Sequence, residues 1–210
     1  MGWMIKHLGG PLRKSGFASF FEFNPGLSAY WVSRDRVMAG AYPGSPESSE
    51  ARRKLRWLLE RGIRRFVDLT EEREQTGRGS PLVPYAHLLA AEAERAGIAA
   101  EHRRFPIEDM GVPSLEQAEE ILAYLDAAEA RGEPAYLHCL GGIGRTGTVV
   151  ACYLLRSSAR RGHPLTAQEA LTELTSLRKG QGVPNPLDSP QTSVQFDFVK
   201  SWPDGYPGSP

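Results

Sequence analysis

Apolar residues in this chain alternate between short unbroken runs and longer stretches in which they recur every third or fourth position. The first pattern marks strands and the second amphipathic helices. Tyr30-Trp31-Val32 and Val37-Met38-Ala39 read as short strands around the turn Ser33-Arg34-Asp35, followed by a helix from Glu47 to Arg61 closed by Gly62. Arg65 to Leu69 predicts a strand, Pro84 to Ala96 a helix ended by Gly97, and Ala100 to Ile107 a further strand. Ser114 with Gln117 forms a capping box, and Ala118, Ile121, Leu122 and Leu125 share one face, so a helix is expected from Leu115 to Arg131 before Gly132 and Pro134. Strand Ala135 to His138 precedes an apolar helix from Thr148 to Arg161. Thr166 and Glu169 cap a helix to about Lys179, and a last helix spans Gln191 to Ser201.

Strands alternating with helices imply an α/β fold, a mostly parallel twisted sheet with helices on both faces and a site at the carboxyl ends of the strands. The expected organisation is an irregular, Gly- and Pro-containing arm over residues 1–28, one domain over 29–202 and a disordered tail over 203–210. Length allows a single domain with a substantial core: the chain has 210 residues.

Charge removes one class of partner. Lys plus Arg and Asp plus Glu balance at 25 each, which argues against nucleic acid. No apolar run has the length of a signal peptide core or a membrane span, so stable membrane insertion is not expected. Cys139 and Cys152 are too few for a disulfide framework, and a thiolate survives best in a reducing compartment, so the cytoplasm is the expected location. His, Cys, Asp and Glu do not recur at metal-ligand spacing; no metal or other cofactor is implied, and the chain is expected to be a monomer.

The candidate chemistry lies in Tyr136-Leu137-His138-Cys139-Leu140-Gly141-Gly142-Ile143-Gly144-Arg145-Thr146-Gly147. A glycine-rich turn between strand and helix gathers backbone N–H groups into an anion nest, reinforced by the helix dipole, and the same field favours a thiolate at Cys139. Arg145 offers a planar fork for two phosphate oxygens, and the Thr146 hydroxyl is placed to hydrogen-bond the sulfur. Leu140, Gly141, Gly142, Ile143, Gly144 and Arg145 would surround the phosphate. Cys152, amid apolar helix residues, reads as packing; a redox pairing with Cys139 needs the helix to aim it at the loop.

The string His138-Cys139-x-x-Gly142-x-x-Arg145-Thr146 resembles the signature of the cysteine-dependent phosphatases, the superfamily of protein tyrosine and dual-specificity phosphatases. The resemblance implies Cys139 as nucleophile and Asp109, followed by Gly111 and Pro113, as general acid, with Glu108 the competitor. It implies that His138 bonds around the loop and that Gln191, with Gln195 second, orients water against a cysteinyl phosphate. The alternative for the last segment is an amphipathic helix whose Val194, Phe198 and Val199 dock on the core while the glutamines face solvent. Asp68 to Glu72 is similar to a segment in which an acidic residue orients the arginine, although solvated loop carboxylates are the expected reading.

The implied substrate is a phosphorylated protein or peptide, because positions 140–144 lack the lysines often found there in phosphoinositide phosphatases, and chain length resembles the small dual-specificity enzymes. A phosphorylated lipid or inositol is the alternative. A noncatalytic phosphate-reading module is disfavoured by the joint presence of Cys139, Arg145 and Asp109.

Overall fold

A computed structural model describes residues 24–183 and 188–202. Most of the expected arm and all of the expected tail lie outside the described residues. Five strands form one sheet in the order β1-β2-β5-β3-β4. They are β1 (Tyr30–Ser33), β2 (Val37–Gly40), β3 (Arg65–Asp68), β4 (Glu101–Arg104) and β5 (Ala135–His138). The β1–β2 hairpin is antiparallel; β2–β5, β5–β3 and β3–β4 are parallel.

Side-chain alternation along the strands builds two cores, because successive residues point to opposite faces. Met38, Phe66 and Tyr136 pack against α1 (Ser48–Glu60) and α2 (Ala86–Ala96). Val37, Ala39, Val67 and Leu137 face α3 (Leu115–Ala130), α4 (Gly144–Arg160), α5 (Ala167–Gly180) and, through Val199, α6 (Ser193–Lys200). The mostly parallel sheet covered on both faces is therefore present. Among the described residues no helix is long and apolar enough to cross a membrane.

Both sheet edges are blunted. At β1 the Gln181 carboxamide imitates a neighbouring strand, accepting from Trp31 N at 2.7 Å and donating to Trp31 O at 2.8 Å. At the other edge β4 is short and reads Glu-His-Arg-Arg, a composition that discourages pairing with another chain.

Three local expectations are corrected. The strand expected over 100–107 stops at Arg104: Phe105 N makes the last in-register bond, to Asp68 O, and Ile107 N then bonds Leu69 O one residue out of register as the chain turns toward Asp109. Only half of the capping box at α3 forms: Ser114 accepts from Gln117 N, but the Gln117 side chain donates to Pro106 O at 2.8 Å. Helix α4 begins at Gly144 rather than Thr148, which places Arg145 and Thr146 in its first turn. The glycines that suggest a loop are tolerated in that turn because tertiary packing overrides their low helix propensity.

Candidate active site

The segments that carry chemistry leave the carboxyl ends of three parallel strands. Past β5, Cys139 is buried at the base of the turn, and Gly142 adopts φ 70°, open to glycine at little cost. A Cβ on Gly142 would overlap the carbonyl of Gly40, so the loop lies directly against the end of β2. Tyr42 N donates to Leu140 O at 3.0 Å and Ser189 Oγ to Ile143 O at 2.7 Å, fixing the loop from two sides. The leading N–H groups of an α-helix have no intrahelical acceptor, so the start of α4 presents donors to an anion. Thr146 Oγ1 is buried there with no hydrogen-bond partner. The expected bond from this hydroxyl to the Cys139 sulfur is not made.

Arg145 is fully buried, and its partners define the geometry. Nη1 and Nη2 donate to Glu74 Oε2 and Oε1 at 2.6 and 2.7 Å, a bidentate fork. Nη1 also donates to Ile107 O at 3.0 Å, and Nη2 meets Asp109 Oδ1 at 2.9 Å. Burial works against the charge, but Glu74, Cys139 and Asp109 outweigh it and hold the guanidinium above its ordinary pKa. Removing Glu74 would leave a buried charge short of its partner, a loss on the order of 3 kcal/mol or more. Glu74 is the residue that sequence reasoning missed. The acidic run Asp68 to Glu72 stops just before it, and Glu74 is held by a turn in which Glu71 N donates to its Oε2 at 3.1 Å and by a small loop closed by Leu82 N donating to its carbonyl.

Asp68 departs from the expected solvated carboxylate; Glu71 and Glu72 are exposed, but Asp68 is wholly buried. Its Oδ1 accepts from Thr70 N at 2.9 Å and Thr70 Oγ1 at 2.6 Å, and its Oδ2 meets His102 Nε2 at 3.1 Å and Arg104 Nη2 at 3.2 Å. Burial disfavours its charge, yet His138, His102 and Thr70 more than compensate and keep it far below the usual carboxylate range. His138 stands beside this group, with Nδ1 3.9 Å from Asp68 Oδ1 and 3.4 Å from the Cys139 carbonyl oxygen. Its Nε2 lies 2.6 Å from the Tyr85 hydroxyl. Burial pushes the His138 pKa down to about 4 against the opposing pull of Asp68, so the ring is neutral near pH 7. Burial also keeps Tyr85 protonated. Its hydroxyl then donates to Nε2 and leaves the imidazole proton on Nδ1, facing the Cys139 carbonyl.

Asp109 lies on the chain between β4 and α3, more than half exposed yet paired to Arg145. Glu108 is exposed, and its carbonyl accepts from Gly111 N at 3.0 Å. The start of α6 anchors this segment: Thr192 Oγ1 donates to Met110 O at 3.2 Å and Gln195 Nε2 to Gly111 O at 2.9 Å. Gln195 Oε1 accepts from Gln191 N at 3.0 Å and Thr192 N at 3.2 Å. Its carboxamide is therefore a buried strut between α6 and the Asp109 segment, with both ends engaged, rather than a group turned to substrate. Gln191 is exposed, and its Oε1 lies 2.7 Å from where a Gly144 Cβ would stand, directly over the start of α4. The amphipathic alternative for α6 is inverted at two positions: Val194 is exposed and Gln195 is buried, while Val199 does dock on the core. Cys152 is a buried free thiol whose pKa burial raises far above normal, suited to packing. Among the described residues no group of His, Cys, Asp and Glu is arranged to hold a metal.

A mixed sheet carrying a buried cysteine and arginine at its carboxyl edge, the arginine at the head of a helix, defines a phosphatase-type domain. The profile of the polymorphic toxin system DSP-PTPase phosphatases matches residues 42–159, and the chain belongs to that family. It is 33% identical over 126 residues to a tyrosine phosphatase of Invertebrate iridescent virus 3, covering 57% of this chain and 42% of the relative. It is 32% identical over 156 residues to the mouse (Mus musculus) protein tyrosine phosphatase domain-containing protein 1, covering 73% and 19% respectively. The chain thus spans less than half the length of these curated relatives. The solved structure of Tk-PTP in its active form superposes with TM-score 0.58 at 29% identity, covering 83% of this chain and 95% of that one. Kinase associated phosphatase, solved with serine at its catalytic cysteine, shares the fold at TM-score 0.59 and 22% identity over 82% and 90%.

Proposed function

We propose that the protein hydrolyses phosphomonoesters of phosphorylated proteins through a cysteinyl-phosphate intermediate. The observation that carries this reading is the pairing of Arg145 Nη2 with Asp109 Oδ1 at 2.9 Å, which sets the phosphate clamp and the acid within one contact of each other. Cys139 Sγ attacks phosphorus while the loop N–H groups and Arg145 hold the phosphoryl oxygens, and the ester P–O bond breaks. An arriving phosphate competes with Asp109 for Nη2; Asp109, once displaced, takes a proton from solvent and passes it to the departing oxygen. In the second step water attacks phosphorus, Asp109 accepts its proton, and the S–P bond breaks to restore the thiolate and release inorganic phosphate. In this reading Gln191, over Gly144, aligns that water. The unpartnered Thr146 hydroxyl serves the sulfur or a phosphoryl oxygen once substrate is bound.

Glu74 preorganises Arg145 before substrate arrives, and neutral His138 directs Nδ1–H at the Cys139 carbonyl, where it holds the loop's first peptide. Residues 29–202 act in this reading as one domain, at work in the cytoplasm as a monomer. Cys139→Ser is expected to abolish turnover of p-nitrophenyl phosphate while still binding vanadate. Undiminished turnover would remove Cys139 from the mechanism.

A further inference from the structure

Among the described residues the large apolar side chains that stand exposed are Met110, Leu115 and Val194, at 49%, 42% and 49%. All three belong to the segments around the candidate site. Met110 follows Asp109, Leu115 opens the helix after it, and Val194 lies in the first turn of the helix that anchors both Met110 O and Gly111 O. Isolated exposed apolar residues are ordinary, but here all of them fall on the segment after Asp109 or on the helix that anchors it.

Met110 adds a second observation. It sits at φ 63°, a left-handed conformation that is costly for a long side chain and nearly free for glycine. The cost is sustained by the Thr192 bond to its own carbonyl and the Gln195 bond to the next one, while the side chain itself points to solvent. A residue held in strain by its surroundings, with its side chain left outside, has a use for that side chain beyond the fold.

Charge on the same segments narrows the occupant. Across residues 107–115, 139–146 and 191–195 the acids are Glu108 and Asp109 and the cation is Arg145, already buried and paired. On these three segments no cation is left to meet additional phosphates, and their exposed acids repel the anionic surface of a membrane. We propose that Met110 and Val194 form an apolar rim that receives an aliphatic or aromatic side chain next to the phosphorylated residue of a protein substrate. The inference rests on the phosphatase reading above and gives that site its selectivity.

The test uses the full chain and two phosphotyrosine peptides that differ only in carrying Leu or the near-isosteric, uncharged Asn on either side of the phosphotyrosine. The expected kcat/KM favours the Leu peptide by about tenfold, the scale of burying a small apolar area. That ratio should fall below about twofold in Met110→Asn/Val194→Ser, since Asn tolerates the left-handed backbone. The single exposed-site variant Val194→Ser, checked for unchanged circular dichroism, should reduce the ratio in part. Equal kcat/KM for the two peptides in the unaltered protein, with p-nitrophenyl phosphate still hydrolysed, overturns the rim and leaves the phosphatase reading intact. Faster turnover of a phosphatidylinositol monophosphate in phosphatidylcholine vesicles than of the Leu peptide also overturns it. Absence of all turnover would instead sink the reading on which it rests.

Discussion

At the scale of single residues, His138 links the stability of the fold to the chemistry of the loop. Its folded pKa of about 4 lies below the ordinary 6.5, so the unfolded chain takes up a proton between these values that the folded protein refuses. The stabilisation is complete above pH 6.5 and is lost as pH falls through about 4, and at pH 5 the loss is on the order of 2 kcal/mol. Asp68, with its folded pKa also depressed, has the same sign and adds its loss at still lower pH. Urea unfolding at pH 7 and pH 5 is therefore expected to show a fall in stability that His138→Gln largely removes. An equal fall in the variant would place the pH dependence elsewhere. Cys139, Arg145 and His138 were readable from the sequence because one contiguous string carries them. Glu74 and the burial of Asp68 were not, since an acidic residue at the end of a strand or in the loop after it becomes a buried partner only when the sheet brings β3 beside β5.

Among elements, the start of α6 anchors the segment that carries Asp109, the proposed acid. Thr192 and Gln195 close a capping box, and the same two side chains reach the carbonyls of Met110 and Gly111. Gln195→Ala would strand the Gly111 carbonyl and two N–H groups, at roughly 1–3 kcal/mol for each that water does not satisfy. Its expected effect is greatest where protonation of the leaving group matters most. Hydrolysis of phenyl phosphate should fall by about tenfold more than that of p-nitrophenyl phosphate, whose phenolate leaves without much help. Equal losses on both esters would show that the strut supports the fold without positioning Asp109. Helix periodicity could locate α6 but not orient it. The apolar residues Val194, Phe198 and Val199 suggested an inward face, whereas the cap geometry at Thr192 turns Gln195 in and Val194 out.

For the molecule as a whole, the topology explains why distant stretches of sequence converge. Parallel pairing of β3, β4 and β5 aligns Asp68, Arg104 and His138 at one sheet edge, and the segments that follow these strands carry Glu74, Asp109 and Cys139. The fold class was legible because alternation of strands and helices leaves few right-handed solutions. The exits of the strands were less so. The turn after β4 begins earlier and α4 begins sooner than periodicity indicates, because tertiary bonds from Ile107 N, out of register with β3, and from Ser189 Oγ to the residue before α4 are invisible to it.

The central claim is that phosphate passes through Cys139. Acid quenching of the Asp109→Ala variant during turnover of p-nitrophenyl phosphate, followed by mass spectrometry of the peptide containing residues 135–145, tests it most directly. The expected result is a phosphoryl adduct on Cys139, formed with a burst of nitrophenolate no larger than the enzyme concentration. Steady turnover with that peptide unmodified, and the same turnover in Cys139→Ser, would contradict the account.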